Sequence, residues 1–511
     1  MAMLTADEYR ESLRRYRPRV FVDGDAVESV ADDPRLAPGI AAIGVTYDFA
    51  TRQEYAEVMT AKQATSGQTV NRLAHINETN QDLLQKLEAV RLVCRESGCA
   101  QRYLTHDGLN ALAAATQIAD AEHSRSGGRY ERFLGYLHRV QDEDLTLGIA
   151  MTDGKGDRSK RPGRQAHSDA YVHVAERRPD GIVIRGTKAI VTAAPYVHEF
   201  LVMPCRSMTA EDADFAVCCA VPVDAPGVTV IARPAGRPGE KAATFSGRYG
   251  QSTGVVVFDD VFVPHDRVFL AGEYAEAAHA TITYATHHRH SCIGARAGFG
   301  DLLIGAGALM VEANGLDPDR HGHIRDAMVE LITVVESFYA CGVAASVYGV
   351  DDGASGVMPD PVFANIGKLL LATKIYDMHR LAHYVSGGLV VALPGPDEDH
   401  NPETAASLET VLAGRADIPA DARRAVSRLV EDLTASYAGS WYSVISLHGG
   451  GSPEAMKREI WRNYPVGEKV ELVERLLGRG VAALDSPLRR RVSRQPGRCC
   501  DAGCDAPPPP T

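Results

Sequence analysis

Apolar residues recur at three-to-four spacing from about Thr5 to Leu145, the period of helices that bury one face. Thr5 precedes Glu8 by three positions, the spacing of a capping box, so a helix is expected to open there and run toward Tyr16. The segments 83–93 and 109–119 carry the same period. From about Thr146 to Glu273 the pattern turns to β-rich runs: 171–174 and 181–184 flank the turn signal Pro179-Asp180-Gly181, and further strands are expected at 200–204, 215–221, 228–232 and 255–263. This predicts a mostly antiparallel unit. The helical period returns from about His279 to Arg479, with Ile324, Met328, Leu331, Val335, Phe338 and Val343 on one stripe and Ile366, Leu370, Thr373, Asp377 and Leu381 on another.

The chain therefore reads as an α+β fold in four parts: an N-terminal helical domain (1–145), a β-barrel or sandwich domain (146–275), a C-terminal helical bundle (276–490) and a tail (491–511). The tail has almost nothing apolar to bury and is expected to be disordered. Its Cys499, Cys500 and Cys504 lack a nearby histidine or fourth cysteine, so no metal is expected there.

With 54 Lys+Arg against 66 Asp+Glu in 511 residues, the net charge is -12, and no basic run offers a surface for nucleic acid. Apolar stretches are read as too short to span a bilayer, and Met1 to Tyr16 lacks a signal core, so a cytoplasmic protein without membrane contact is expected. The ten cysteines are scattered, apart from Cys218-Cys219 in an apolar run, and read as reduced, packed thiols.

Helices, then strands, then helices suggest a flat flavin site enclosed where the three blocks meet. Neither Gly-x-Gly-x-x-Gly after a strand nor a P-loop occurs, so a dinucleotide must be held another way. In Met151-Thr152-Asp153-Gly154-Lys155-Gly156-Asp157-Arg158, two glycines permit close backbone approach and two cations suit a pyrophosphate, although the same letters also make a charged turn. Ser386-Gly387-Gly388 would serve either as a helix stop or as a place for a neighbouring backbone to approach a cofactor.

Five stretches together resemble one family: Tyr9 to Arg14, Met151 to Arg158, Gly181 to Lys188, Val261 to Arg267 and His448 to Pro453. They are similar to the 4-hydroxyphenylacetate 3-hydroxylase family, in order and spacing from about Leu4 to Gly480, and most of all to its 4-hydroxybutyryl-CoA dehydratase branch. The resemblance implies an acyl-CoA-dehydrogenase-like architecture, a homotetramer, and FAD held between subunits by Ile149, Ala150, Met151, Lys155, Gly156, Asp157, Arg158, Thr192, Ser386, Gly387 and Gly388. Thr192 is implied to sit beside the flavin ring.

The dehydratase branch adds an iron–sulfur cluster on three cysteines and a histidine. Cys99 and His288 match two ligand positions, but Tyr103 and Ala295 occupy the others. Cys292 and Arg296 replace a tyrosine and a lysine, and Thr253 and Ile445 fall near two glutamate positions. No cluster and no radical dehydration are therefore expected. A mononuclear metal on His287, His288, His290, Cys292 and Cys99 lacks a completing carboxylate, so no metal is expected.

The other branch comprises monooxygenases that take reduced flavin from a separate reductase and frame a phenol with Arg-x-x-x-Tyr and a histidine. Here Arg102 is followed by Tyr103 and, four residues on, His106, while Ile149 stands at the histidine position. The expected catalytic set is Arg102, Tyr103, His106, His288, Cys292 and Arg296, with His288 as acid/base and Arg296 orienting an anion. The expected activity is a two-component FAD monooxygenase acting on an aromatic or small biosynthetic intermediate. The alternatives are a redox-neutral flavin dehydratase, isomerase or lyase without a cluster, perhaps on a CoA thioester, and a non-catalytic flavin-binding scaffold.

Overall fold

A computed structural model describes residues 3–122, 128–483 and 485–489. The capping box at Thr5 and Glu8 is formed, and the helix Ala6–Leu13 follows it. The expected order of helices, strands and helices holds, with the tail 491–511 lying outside the described residues.

Two sheets make up the middle. The six-stranded one runs Asp25–Ala26, Val20–Val22, Val228–Ala232, Thr253–Pro264, Gly181–Thr192 and His173–Arg178. The four-stranded one runs Val268–Ala271, Val217–Pro222, Glu199–Val202 and Leu147–Ala150. Most neighbours are antiparallel; Val20–Val22 joins Val228–Ala232 in parallel, as Leu147–Ala150 joins Glu199–Val202. The N-terminal block is thus not wholly helical. Its two- and three-residue strands are too short to express a period of two, which is why the pattern there reads only as helix.

One apolar core fills the space between the sheets, around Tyr47, Phe200 and Phe258. The other joins both helical blocks, around Leu87, Leu112, Phe299 and Phe338. The 40-residue helix Tyr274–Ala313 runs through this second core. Gly294 and Gly298 let it lie against the helix Asn80–Ser97, since a Cβ on either would meet the Leu87 or Arg91 carbonyl oxygen at 2.8 or 2.6 Å.

The stripe on Gly322–Val347 is the buried one, with Ile324, Leu331, Val335 and Phe338 in the core. On Pro361–Ser386 the phase differs from the sequence reading: Lys368, Leu371, Ile375 and Met378 face inward, whereas Thr373 is exposed. Tyr274–Ala313 and Gly322–Val347 are long and apolar enough to cross a bilayer by length and composition, contrary to the sequence reading; the first is mostly buried within the bundle. Val329, Val347, Tyr348, Tyr376 and Tyr384 leave large apolar side chains exposed on the bundle.

Candidate active site

The beginning of the strand Thr253–Pro264 meets the helical bundle at Cys99. Thr253 pairs with Thr192, and two residues earlier the Gln251 amide donates to the Cys99 carbonyl over 2.5 Å. The end of the sheet that carries Thr192 is thereby tied to the start of the helix Tyr103–Glu122. Behind Cys99, the helices Asn80–Ser97, Tyr103–Glu122, Tyr274–Ala313 and Pro361–Ser386 enclose a polar cluster that contains four of the six expected catalytic residues.

His288 stands at its centre. Its Nε2 is 3.7 Å from the Cys292 sulfur, one turn along the same helix, and its Nδ1 is 3.5 Å from Asp107 Oδ2. The Tyr103 and Tyr284 rings lie nearly parallel to the imidazole, with centroids at 6.2 and 5.5 Å. The loop 449–451 crosses above. Gly450 has φ +76°, and a Cβ there would sit 3.2 Å from the imidazole, so a side chain at this point would displace the ring.

Asp107 is fully buried and serves several donors. Its Oδ1 accepts from Ser291 Oγ at 2.7 Å and lies 3.7 Å from the Lys86 ammonium, which itself donates to Ser291 Oγ at 2.8 Å. Burial alone would raise this carboxyl, but Lys86, His106 and His288 hold it far below the usual range. Burial pushes Lys86 down to about 8, with Asp107 opposing. Burial also opposes charge on His288, but the Cys292 thiolate and Asp107 outweigh it and bring the imidazole up to about 9. The Cys292 thiol is lowered, because His288, Lys368 and Arg296 overcome the effect of its burial.

Arg296 lies one turn beyond Cys292. Its Nε donates to Ser446 Oγ at 2.5 Å, while Nη1 is a buried donor with no hydrogen-bond partner. Lys368 donates to the Ser446 carbonyl at 2.5 Å and is pushed down to about 8 by burial. Tyr103 and Cys99 complete this wall, with the Tyr103 hydroxyl 3.8 Å from the Cys99 sulfur. The Cys99 thiol is lowered first by its hydrogen bond with Cys94 and then by Arg296. Arg289 donates to the Gly450 carbonyl at 2.9 Å and to Asn365 Oδ1 at 2.8 Å, and with Lys86, Lys368 and Arg296 it makes the surroundings of Cys292 cationic, while Asp107 faces Lys86 and His288.

Two of the expected catalytic residues stand elsewhere. The Arg102 guanidinium is fully buried against Asp144, whose carbonyl it reaches at 3.0 Å, and lies 3.8 Å over the Tyr47 ring. It anchors the first helical block to the end of the helix Arg129–Asp142 and does not join the His288 group. His106 is buried behind Asp107, 3.2 Å from its Oδ1 and 3.1 Å from Asn77 Oδ1, and burial lowers it to about 4, so it is neutral. It braces the carboxylate. His290 is held by Ser346 Oγ at 2.8 Å, and among the described residues no three His, Cys, Asp or Glu side chains are placed to hold a metal ion.

The expected cofactor residues divide into two places. The loop after Leu147–Ala150 is stitched to the strand Gly181–Thr192 by the Ala189 amide, which donates to the Thr152 carbonyl at 2.7 Å, and by the Lys188–Asp153 ion pair at 2.7 Å. Ile149 turns inward onto Gly108 and Ala150 is buried in the sheet, so they offer backbone only. Met151 turns its carbonyl to Lys188. Lys155 and Gly156 have φ of +66° and +51°, forming a tight turn. Asp157 accepts from Ser159 within that turn and lies 3.5 Å from the Lys160 ammonium. Among the described residues Lys155 and Arg158 have no anionic partner, although neighbouring Lys160, Arg161 and Arg164 are all paired. Ser386, Gly387 and Gly388 close the far end of Pro361–Ser386, where the buried Ser386 hydroxyl has no partner and a Cβ on Gly388 would meet nothing within 4 Å.

The model of the 4-hydroxyphenylacetate 3-hydroxylase N-terminal region matches residues 5–270, and that of its C-terminal region matches 277–478. The chain belongs to the 4-hydroxyphenylacetate 3-hydroxylase family. The resemblance read from its motifs is borne out. It is 34% identical to the 4-hydroxybutyryl-CoA dehydratase/vinylacetyl-CoA-Delta-isomerase of Clostridium aminobutyricum over 93% of this chain and 99% of the relative. It is 26% identical to the 4-hydroxyphenylacetate 3-monooxygenase oxygenase component of Thermus thermophilus, over 90% and 94%. Among solved structures, an oxygen-tolerant archaeal 4-hydroxybutyryl-CoA dehydratase from N. maritimus superposes with a TM-score of 0.89 at 33% identity, covering 96% of this chain and 98% of that one. The oxygenase component of 4-hydroxyphenylacetate 3-monooxygenase complexed with FAD shares the fold, with a TM-score of 0.83 at 24% identity over 93% and 98%. The expected α+β order of helices, two-sheet middle and helical bundle is the fold this chain shares with both of these structures.

Asp107, Lys86, Tyr284, Lys368 and Gln251 were not among the expected site residues. Lys86 carried a signal: it falls on the apolar face set by Leu83, Leu87 and Val90, where a cation requires a buried partner.

Proposed function

We propose that this chain is the oxygenase of a two-component system, taking reduced FAD from a separate reductase and hydroxylating an aromatic or small anionic intermediate. The observation that carries this reading is the wall around Cys99. Tyr103 offers a hydroxyl and Ala295 offers no ligating atom at the two positions where the dehydratase branch requires thiolates, so this donor set does not fit an iron–sulfur cluster.

FAD does fit the chain's own groups. Lys155 and Arg158, without an anionic partner among the described residues, suit its pyrophosphate, Thr192 offers a hydroxyl at the end of its strand, and the Ser386 hydroxyl, unpartnered among the described residues, with open Gly388 suits a cofactor seated in a neighbouring subunit. The exposed apolar residues on the bundle support a homotetramer, which would cover them. When bound and reduced, FAD supplies the electron pair that lets O2 deliver one oxygen atom to the substrate. Arg296 Nη1 orients the substrate's anionic group, His288 holds a proton at Nε2, and Tyr103 and Tyr284 shield that proton from water. We place this chemistry in the cytoplasm.

The 34% identity to a dehydratase favours a second reading, a redox-neutral flavin reaction on a CoA thioester without a cluster. Oxygen uptake separates the two. With reduced FAD and a reductase supplied, phenolic and carboxylic substrates should raise O2 consumption and yield hydroxylated product. Turnover of an acyl-CoA without oxygen would favour the second reading. Stoichiometric iron and acid-labile sulfide in anaerobically purified protein would overturn the account of the Cys99 wall.

A further inference from the structure

Cys292 differs from the thiols around it. Cys94 and Cys99 are fully buried, whereas Cys292 is partly exposed and its sulfur faces a histidine ring at 3.7 Å. Positions 288, 292 and 296 follow one another at four-residue intervals, so the imidazole, the sulfur and the guanidinium share one side of a single rigid helix. That ring lies nearly parallel to Tyr103 and Tyr284 and has Asp107 at 3.5 Å from its Nδ1, so its Nε2 is the nitrogen left toward the sulfur. Arg296 is only 4% exposed, yet its Nη1 has no acceptor. Leaving such a donor unmet costs about 1–3 kcal/mol, which an acceptor on a bound molecule would return.

We propose that Cys292 is a nucleophile toward electron-poor alkenes conjugated to a carbonyl, with His288 as its proton partner and Arg296 as the donor to the developing oxyanion. The sulfur lone pair forms a C–S bond at the β-carbon. The alkene π pair moves toward the carbonyl, whose oxygen gains negative charge and accepts from Arg296 Nη1. The proton on His288 Nε2 then passes to the α-carbon. One C–S and one C–H bond replace the C=C π bond, no electron is gained or lost, and reversal releases the alkene. A thiolate is a soft nucleophile and suits a polarised β-carbon. The groups facing the pair favour the anion: Lys86, Lys368, Arg289 and Arg296 are cationic, Asp107 is engaged by His288 and Lys86, and Glu459 acts on Arg289.

This inference goes beyond the flavin reaction, and its test reads neither O2 uptake nor hydroxylated product. FAD-loaded protein is treated in parallel with N-ethylmaleimide, which adds through an enolate-like oxyanion, and iodoacetamide, which reacts by displacement without one. Adducts are mapped by peptide mass spectrometry, and the rate is followed at Cys292. The maleimide rate should fall at least tenfold in R296Q while the iodoacetamide rate changes by less than threefold; both should fall in H288Q, and C292S should carry no adduct at that position. Equal losses with both reagents in R296Q, or a folded wild type unlabelled at Cys292, would overturn the proposal. Should R296Q fail to fold, R296K, which keeps the charge but not the fork of donors, decides on the same ratio.

Discussion

Gln251 reaches out of the sheet domain to donate its amide to the Cys99 carbonyl over 2.5 Å, joining the end of the strand pair that holds Thr192 to the wall that holds Tyr103 and Arg296. Replacing Gln251 with leucine leaves that buried carbonyl without its donor. The cost is expected to be about 1–3 kcal/mol in chemical denaturation. Because the contact joins two blocks, Q251L should also weaken FAD retention, read by flavin fluorescence after gel filtration.

Asp107 and Lys86 test how the buried charges depend on one another. Asn at 107 strands the Lys86 ammonium in the core, and the loss should reach about 3–5 kcal/mol. The double variant D107N/K86M removes both charges and should recover a substantial part of that loss. Additive effects in the denaturation cycle would contradict the pairing.

The His288 pair sets a pH window. Its folded imidazole titrates at about 9, above the ordinary 6.5, so the stabilisation it contributes is complete below about 6.5 and disappears as pH rises through 9. The difference in stability between wild type and H288Q should therefore be widest near pH 6 and close by pH 9.5. A gap that widened with pH would reverse the assignment of the charged form.

Lys155 and Arg158 are the cations proposed to meet the FAD pyrophosphate. Alanine at either position should weaken FAD binding about three- to tenfold at low salt and less at high salt, as expected for partly exposed cations meeting a pyrophosphate. Isothermal titration at two salt concentrations measures this directly. Unchanged affinity would move the pyrophosphate elsewhere.

For Arg102 the expected outcome is structural. R102A strands Asp144 and opens a space over Tyr47, so unfolding should come several degrees lower, while the folded fraction keeps its specific activity. A selective loss of kcat in fully folded protein would return Arg102 to the catalytic set.

The block order and the long strands were legible because each runs far enough to show its period: Gly181–Thr192 and Thr253–Pro264 are 12 residues each. Val20–Val22 was not, being shorter than two repeats. On Pro361–Ser386 the buried Lys368 breaks the apolar stripe and shifts its apparent phase. The polar cluster around His288 was legible in part. His288, Cys292 and Arg296 are neighbours in sequence and could be placed on one side of one helix, whereas Asp107 and Lys86 reach them from two other helices through contacts 181 or more residues away along the chain. Arg102 and Tyr103 adjoin in sequence, yet Arg102 lies in the turn before the helix and sends its guanidinium to Asp144, while Tyr103 opens the helix Tyr103–Glu122 and sets its phenol against the imidazole.

The four buried cations around Cys292 sit inside a chain whose overall charge is -12. A negatively charged visitor is therefore repelled on approach and gripped on arrival. Added salt should speed its entry while barely changing its stay, because charges buried away from water are screened far less, so the affinity gained with salt ought to appear almost wholly in the association rate.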